Sequence, residues 1–232
     1  MQYGIRWKNR LNIENHDRKL PFSLIYNYDL IKDLDRTFPR ETFFKKNQEI
    51  LKNIILNFIE INSAMDYFQG MCYITYVLYY AFKDTTCPEY NTFYALHKII
   101  SPIRPIIPLD DKDEDPIKFI TNLSKIILLN VFQRNKALGK RLRDLDIIHI
   151  FVVSGLPALF ANWYSLNETL ILWDFLIDIS PSIMLDNIID FLTCFFMYNE
   201  KIIMHLNIEN ILSLLQQRQG LSNIILMLKY KK

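Results

Sequence analysis

The sequence predicts an all-α protein of two helical lobes, and three observations carry that prediction. Apolar residues recur at three- and four-residue spacing through most of the 232 positions, which is the period of a helix with one buried face. Convincing alternating runs bounded by hairpin signals are absent. Half the residues are hydrophobic and 14% are aromatic, enough for a chain of this length to bury roughly 70–75% of its unfolded surface. The diversity of the helical segments, with no repeated period, argues against a solenoid.

The elements follow in order. Pro39 disfavours helical geometry at Phe38, so a helix holding Asp33 is expected to end near Arg36 or Thr37. Ile50, Leu51, Ile54, Ile55, Phe58 and Ile59 line one face of a helix within Lys45–Asn62. Cys72–Phe82 has a strand-like composition, but its length and surroundings favour a buried helix. Pro88 marks a break after Lys83–Cys87. Ser101–Pro116 carries four prolines and five acids between Asp110 and Asp115, and reads as a linker. Residues 1–232 are therefore expected to form one domain, with lobes near 1–109 and 117–232. Beyond the linker, Phe119–Val131 keeps the helical period, and Ile147–Asn167 suggests a buried helix pair broken near Gly155 and Pro157. Pro181 suits the first turn of a helix through Leu192. A last periodic run, Ile202–Leu215, reads as helix too.

Composition excludes several functions. Lys and Arg number 27 against 25 Asp and Glu, a net charge of +2, without the basic excess of a nucleic-acid binder. The five glycines are scattered, and Gly139-Lys140 lacks the remainder of a phosphate loop, so no nucleotide site of its own is expected. Three dispersed cysteines suit a reducing compartment rather than a disulfide framework. The first residues lack the apolar run of a signal peptide. Ile147–Asn167 carries no formal charge with His149 neutral, yet its seven polar or breaking residues make a membrane span the poorer reading. Asp111, Asp113 and Asp115 have calcium-loop spacing, but Pro116 and Asn122 stand where glycine and a bidentate glutamate belong. The four histidines make no metal-ligand spacing, and His149 reads as a hydrogen-bonded core histidine. Neither a metal nor a cofactor is expected.

Two short segments carry more information. In Leu30-Ile-Lys-Asp33-Leu-Asp-Arg36-Thr37-Phe38-Pro39, Asp33 and Arg36 are one helical turn apart, and Pro39 leaves Arg36 near a helix end. Alone, this reads as a surface ion pair. In Tyr67-Phe68-Gln69-Gly70-Met71, Gly70 permits a tight backbone beside an outward-reaching amide; alone, this reads as a polar helix N-terminus.

Together and in this order the segments resemble the TBC domain of Rab GTPase-activating proteins. That family carries Ile-x-x-Asp-x-x-Arg, often followed by Thr-Phe-Pro, and then Tyr-x-Gln-Gly, usually with Met next. Leu30, Asp33, Arg36 and Thr37-Phe38-Pro39 match the first motif with Leu for Ile, and Tyr67, Gln69, Gly70 and Met71 match the second. A third landmark, an aromatic-rich run ending in Trp-Asp, is visible from Ala158-Leu159-Phe160-Ala161 to Trp173-Asp174. The resemblance implies an all-α domain that stimulates GTP hydrolysis by a GTP-bound Rab in trans, with no hydrolase activity of its own. Arg36 would be the arginine finger and Gln69 the glutamine finger. Asp33 would brace Arg36, Tyr67 and Gly70 would shape the loop of Gln69, and Thr37 would support the first motif. GTP and Mg²⁺ would come with the partner. The implied location is cytoplasmic, free or peripheral to vesicle or organelle membranes. Trp173 and Asp174 would tie the C-terminal half together. Three positions depart from the family pattern: Cys72 where Asn or Ser is usual, Gly155 where Trp is common, and Ile171 where Arg is frequent. The rival reading is a TBC-like scaffold that binds a GTPase or another protein without catalysis.

Overall fold

The computed structural model describes residues 3–14, 19–62, 65–107, 115–178, 180–215 and 220–230, with the backbone alone at 214 and 215. Fourteen α-helices and no β-strand occur among the described residues. The first six are α1 (Tyr3–Arg10), α2 (Tyr28–Arg36), α3 (Thr42–Lys46), α4 (Gln48–Ile61), α5 (Gly70–Phe82) and α6 (Pro88–Ile100). A 3₁₀ turn at Ser101–Ile106 follows, then α7 (Pro116–Arg134), α8 (Lys136–Leu145), α9 (Ile148–Gly155) and a second 3₁₀ turn at Leu156–Ala158. The chain closes with α10 (Leu166–Leu176), α11 (Pro181–Tyr198), α12 (Glu200–His205), α13 (Ile208–Leu215) and α14 (Leu221–Tyr230).

Side chains at the helix ends explain most boundaries. The Asn27 carboxamide accepts from the Leu30 amide and starts α2. Asp115 does the same for Lys118, with Pro116 in the first turn of α7. Asn135 starts α8, and Ser165 with Glu168 forms a reciprocal capping box on α10. Pro88 and Pro181 occupy first turns, as their position in the sequence suggests.

Two regions differ from expectation. The run Ile202–Leu215 is not one helix, because Asn207 accepts from the Asn210 amide and opens a new one. The Arg141 guanidinium takes the freed carbonyls of Ile203 and Leu206 at the end of α12. In Ile147–Asn167 the second helix does not begin until Leu166. The chain between passes through Leu159 and Phe160, both at positive φ, and Trp163. The acidic centre of the expected linker, with Asp111 and Asp113, lies outside the described residues, as does the residue-109 boundary.

Apolar burial is continuous through the molecule. Helix α5 is buried nearly all round and packs on α4, α6 and α1, while α11 packs on α7, α10 and α14. Phe151, Phe160, Trp163, Phe191, Phe195 and Phe196 form a connected cluster of rings around α11. None of the described helices is long and apolar enough to cross a membrane.

Candidate functional site

The first motif ends α2. The Thr37 amide and hydroxyl both donate to the Asp33 carbonyl, at 2.9 and 2.7 Å, which closes the last turn and buries Thr37. Phe38 then takes a φ of 41°, a conformation that costs a bulky L-residue energy. Its ring is held between Tyr73 and Tyr76, with centroids 5.0 and 4.9 Å away. The packed ring and Pro39 fix the turn that leaves Arg36 exposed at the helix end. Among the described residues Arg36 makes no ion pair, so the bond to Asp33 that the spacing allows is not formed.

Asp33 has a different partner. The Tyr67 hydroxyl donates to its Oδ2 at 2.7 Å, across 34 residues of sequence, and lies 3.2 Å from the Cys72 Sγ. The Thr37 hydroxyl also lies close enough to the Cys72 thiol to act on its titration. Asp33, Thr37, Tyr67 and Cys72 thus form one polar knot joining the end of α2 to the start of α5. Burial, then the nearby Cys72 and Asp33, push the Tyr67 phenol far above its ordinary range. Burial likewise raises the Cys72 thiol to about 12, although its bond to Tyr67 and the neighbouring Thr37 hydroxyl pull the other way. Both groups keep their protons at neutral pH, so Tyr67 donates to Asp33 and Cys72 is no nucleophile.

Gln69 stands exposed at the start of α5, where the knot fixes the chain just before it. Gly70 serves close approach rather than an unusual φ. A Cβ there would lie 2.0 Å from the Pro157 carbonyl oxygen and 2.9 Å from the Ala158 nitrogen. The start of α5 therefore rests directly on the second 3₁₀ turn. The result is a pocket of about 270 Å³ shared by Gln69, Tyr73, Val153, Pro157 and Asn162. This share of α9 and its following turn in the site was not foreseen from sequence. The family model of the Rab-GTPase-TBC domain matches residues 7–204. The chain belongs to this family. None of the curated proteins gives a significant match. Membership makes the chain a Rab-GAP-type domain, with a Rab GTPase as its class of partner.

The third TBC landmark corrects one expectation. Trp173 does tie the C-terminal half together, donating its indole N–H to the Leu159 carbonyl at 2.9 Å. Asp174 instead reaches the other end of the chain. Its carboxylate accepts from the Trp7 indole at 3.1 Å and pairs with Arg6 at 3.1 Å and Arg10 at 3.5 Å. Arg10 also reaches the Asp174 carbonyl. Cations that the TBC pattern leads one to seek at position 171 come here from α1, and Ile171 is exposed. The space beside Gly155 is filled by the rings of Phe160 and Trp163, which a Cβ would approach to 2.4 and 2.7 Å. His149 is not a core residue: its side chain is 48% exposed and faces Asp146 at 3.7 Å. Among the described residues no group of His, Cys, Asp and Glu could hold a metal ion.

Proposed function

We propose that this TBC domain accelerates GTP hydrolysis on a GTP-bound Rab, with Arg36 and Gln69 supplied in trans. The observation that carries this reading is the Tyr67–Asp33 hydrogen bond, which locks together the two backbone segments bearing the exposed cation and amide. Hydrolysis places negative charge on phosphate oxygens and requires a water held in line. A guanidinium brought against those oxygens in a closed site stabilises the charge, and a fixed carboxamide orients the water. Among the described residues Arg36 has no partner to surrender before doing this, and Gln69 rests on a backbone that Gly70 and the knot hold in place. Asp33 and Tyr67 are positioning residues, Thr37 closes the turn beneath Arg36, and GTP and Mg²⁺ arrive with the partner. The reading takes residues 1–232 as one domain whose lobes, to about residue 109 and from about 117, flank the Rab. It also places the domain in the cytoplasm, peripheral to the vesicle or organelle membrane that carries its partner.

The test is single-turnover GTP hydrolysis by a panel of Rab proteins. Arg36→Ala should lower the stimulated rate by ~10³–10⁵, and Arg36→Lys should not restore it, since an ammonium lacks the forked contacts. Gln69→Ala should cripple stimulation of a normal Rab. A Rab whose own switch glutamine is replaced by Ala should still respond to the wild-type domain. Full loss with that Rab, together with normal activity of Gln69→Ala, removes Gln69 from the mechanism. Undiminished binding with no stimulation of any Rab selects the scaffold reading.

A further inference from the structure

The Tyr67–Asp33 bond joins the two finger segments at a point ahead of both fingers, since Asp33 precedes Arg36 and Tyr67 precedes Gln69. A second joint lies beyond both. The ring of Phe38, just after Arg36, meets the ring of Tyr73, one helical turn after Gln69, with centroids 5.0 Å apart and planes at 63°. This is the edge-to-face geometry that aromatic pairs prefer. The two segments are therefore paired in the same order, Asp33–Arg36–Phe38 against Tyr67–Gln69–Tyr73, with a finger between the joints on each. Gln69 already has helical dihedrals, φ −53° and ψ −31°, so Tyr73 stands on the same helical face as Gln69. Helical side chains lean toward the N-terminus of their helix, which brings the Tyr73 ring back toward Gln69, and the two side chains line one pocket. Phe38 in turn holds a φ of 41° that a bulky residue resists, so the packing of its ring keeps the turn beside Arg36 in shape.

Resting on the Rab reading above, we infer that the Phe38–Tyr73 ring pair sets the angle between Arg36 and Gln69, which makes Tyr73 a positioning residue for stimulated hydrolysis. A joint on one side of the fingers leaves the segments free to swing about it; a joint on each side removes that freedom. The guanidinium and the carboxamide must reach one nucleotide together, the first at the phosphate oxygens and the second at the water. A swing of about 1 Å between them costs rate even where both side chains are intact. Affinity, spread over an interface of about 800 Å² on each side, changes little.

The experiment is single-turnover hydrolysis by the Rab that the wild-type domain stimulates best, followed against rising concentration of the TBC domain, with urea unfolding of every variant. Tyr73→Leu keeps an apolar side chain but loses the ring. It should lower the saturated rate roughly ten- to a hundredfold at an unchanged half-saturating concentration. If Tyr73→Leu does not fold, Tyr73→Met takes its place with the same expectation. Tyr73→Phe keeps the ring and should hold the wild-type rate. Phe38→Leu should reproduce the loss, and Phe38→Leu with Tyr73→Leu should be no slower than either alone, because the two rings act as a unit. Phe43→Leu controls for stability, since Phe43 packs on Tyr76, Tyr79 and Tyr80 in the same cluster of rings. It should lower the urea midpoint and leave the saturated rate unchanged. A wild-type rate in Tyr73→Leu, a Tyr73→Phe as slow as Tyr73→Leu, or an equal loss in Phe43→Leu overturns the role of the ring pair and leaves the Rab reading standing. Losses that simply add in the double variant overturn it too. A wild type that stimulates no Rab overturns the Rab reading, and this inference with it.

Discussion

Tyr67 shows how much one hydroxyl can organise. It spans 34 residues of sequence to reach Asp33, and the same oxygen meets Cys72. Tyr67→Phe keeps the ring and removes the donor, leaving Asp33 and Cys72 short of a partner. The expected loss is about 1–2 kcal/mol in urea unfolding, accompanied by a lower saturated hydrolysis rate because both finger segments loosen. Gly70→Ala asks more. Its Cβ would meet the backbone of Pro157, which cannot swing aside as a side chain can, and the expected loss is about 1–3 kcal/mol. At this scale the sequence was half legible. Arg36 and Gln69 stand out only as members of two ordered motifs that resemble the TBC pattern, since each segment alone reads as an ordinary surface feature. The partner of Asp33 could not be read, since helical spacing points to Arg36 and only tertiary packing brings Tyr67 to the carboxylate.

Elements bounded by local chemistry were readable, and those bounded by tertiary contacts were not. Pro88 and Pro181 act within their own first turns, so their helices begin where the residues stand. Asn207 breaks a run whose apolar residues, Leu206 and Ile211 among them, continue the helical period across the break. Hydrophobic spacing therefore conceals the junction between α12 and α13. Helix α1 is only eight residues long, too short to persist alone, and its Trp7 is fully buried. Its docking rests on that ring and on Asp174. Asp174→Ala should cost about 1–3 kcal/mol, because it strands Arg6, Arg10 and the Trp7 indole together. Hydrogen exchange should show faster opening across Tyr3–Arg10 than in α5. Equal protection of the two helices in that variant counts against the clasp.

For the whole molecule, stability should fall at both ends of the pH scale for identifiable reasons. His97 lies between Phe58 and Phe93, with ring centroids 4.7 and 5.1 Å away. Burial, with Lys98 adding to it, lowers its pKa below the ordinary 6.5. Below that value the unfolded chain takes up a proton that the folded one resists, so stability present above pH 6.5 is lost as pH falls. At the alkaline end Cys72 rises from 9.0 to about 12, so stability is lost as pH climbs through that interval. Denaturant midpoints should decline outside this window, and His97→Phe should flatten the acid limb. The clasp on Asp174 has a further consequence, one of timing. Arg10 is made 164 residues before its partner, and synthesis at roughly 5–20 residues per second leaves an interval of roughly 8–30 s. Throughout that interval α1 can meet α5, which is made far sooner, but the Trp7 indole lacks its acceptor. The contact of α1 with α5 can thus precede its clasp on α10 by many seconds, so the docking of this helix proceeds in two steps.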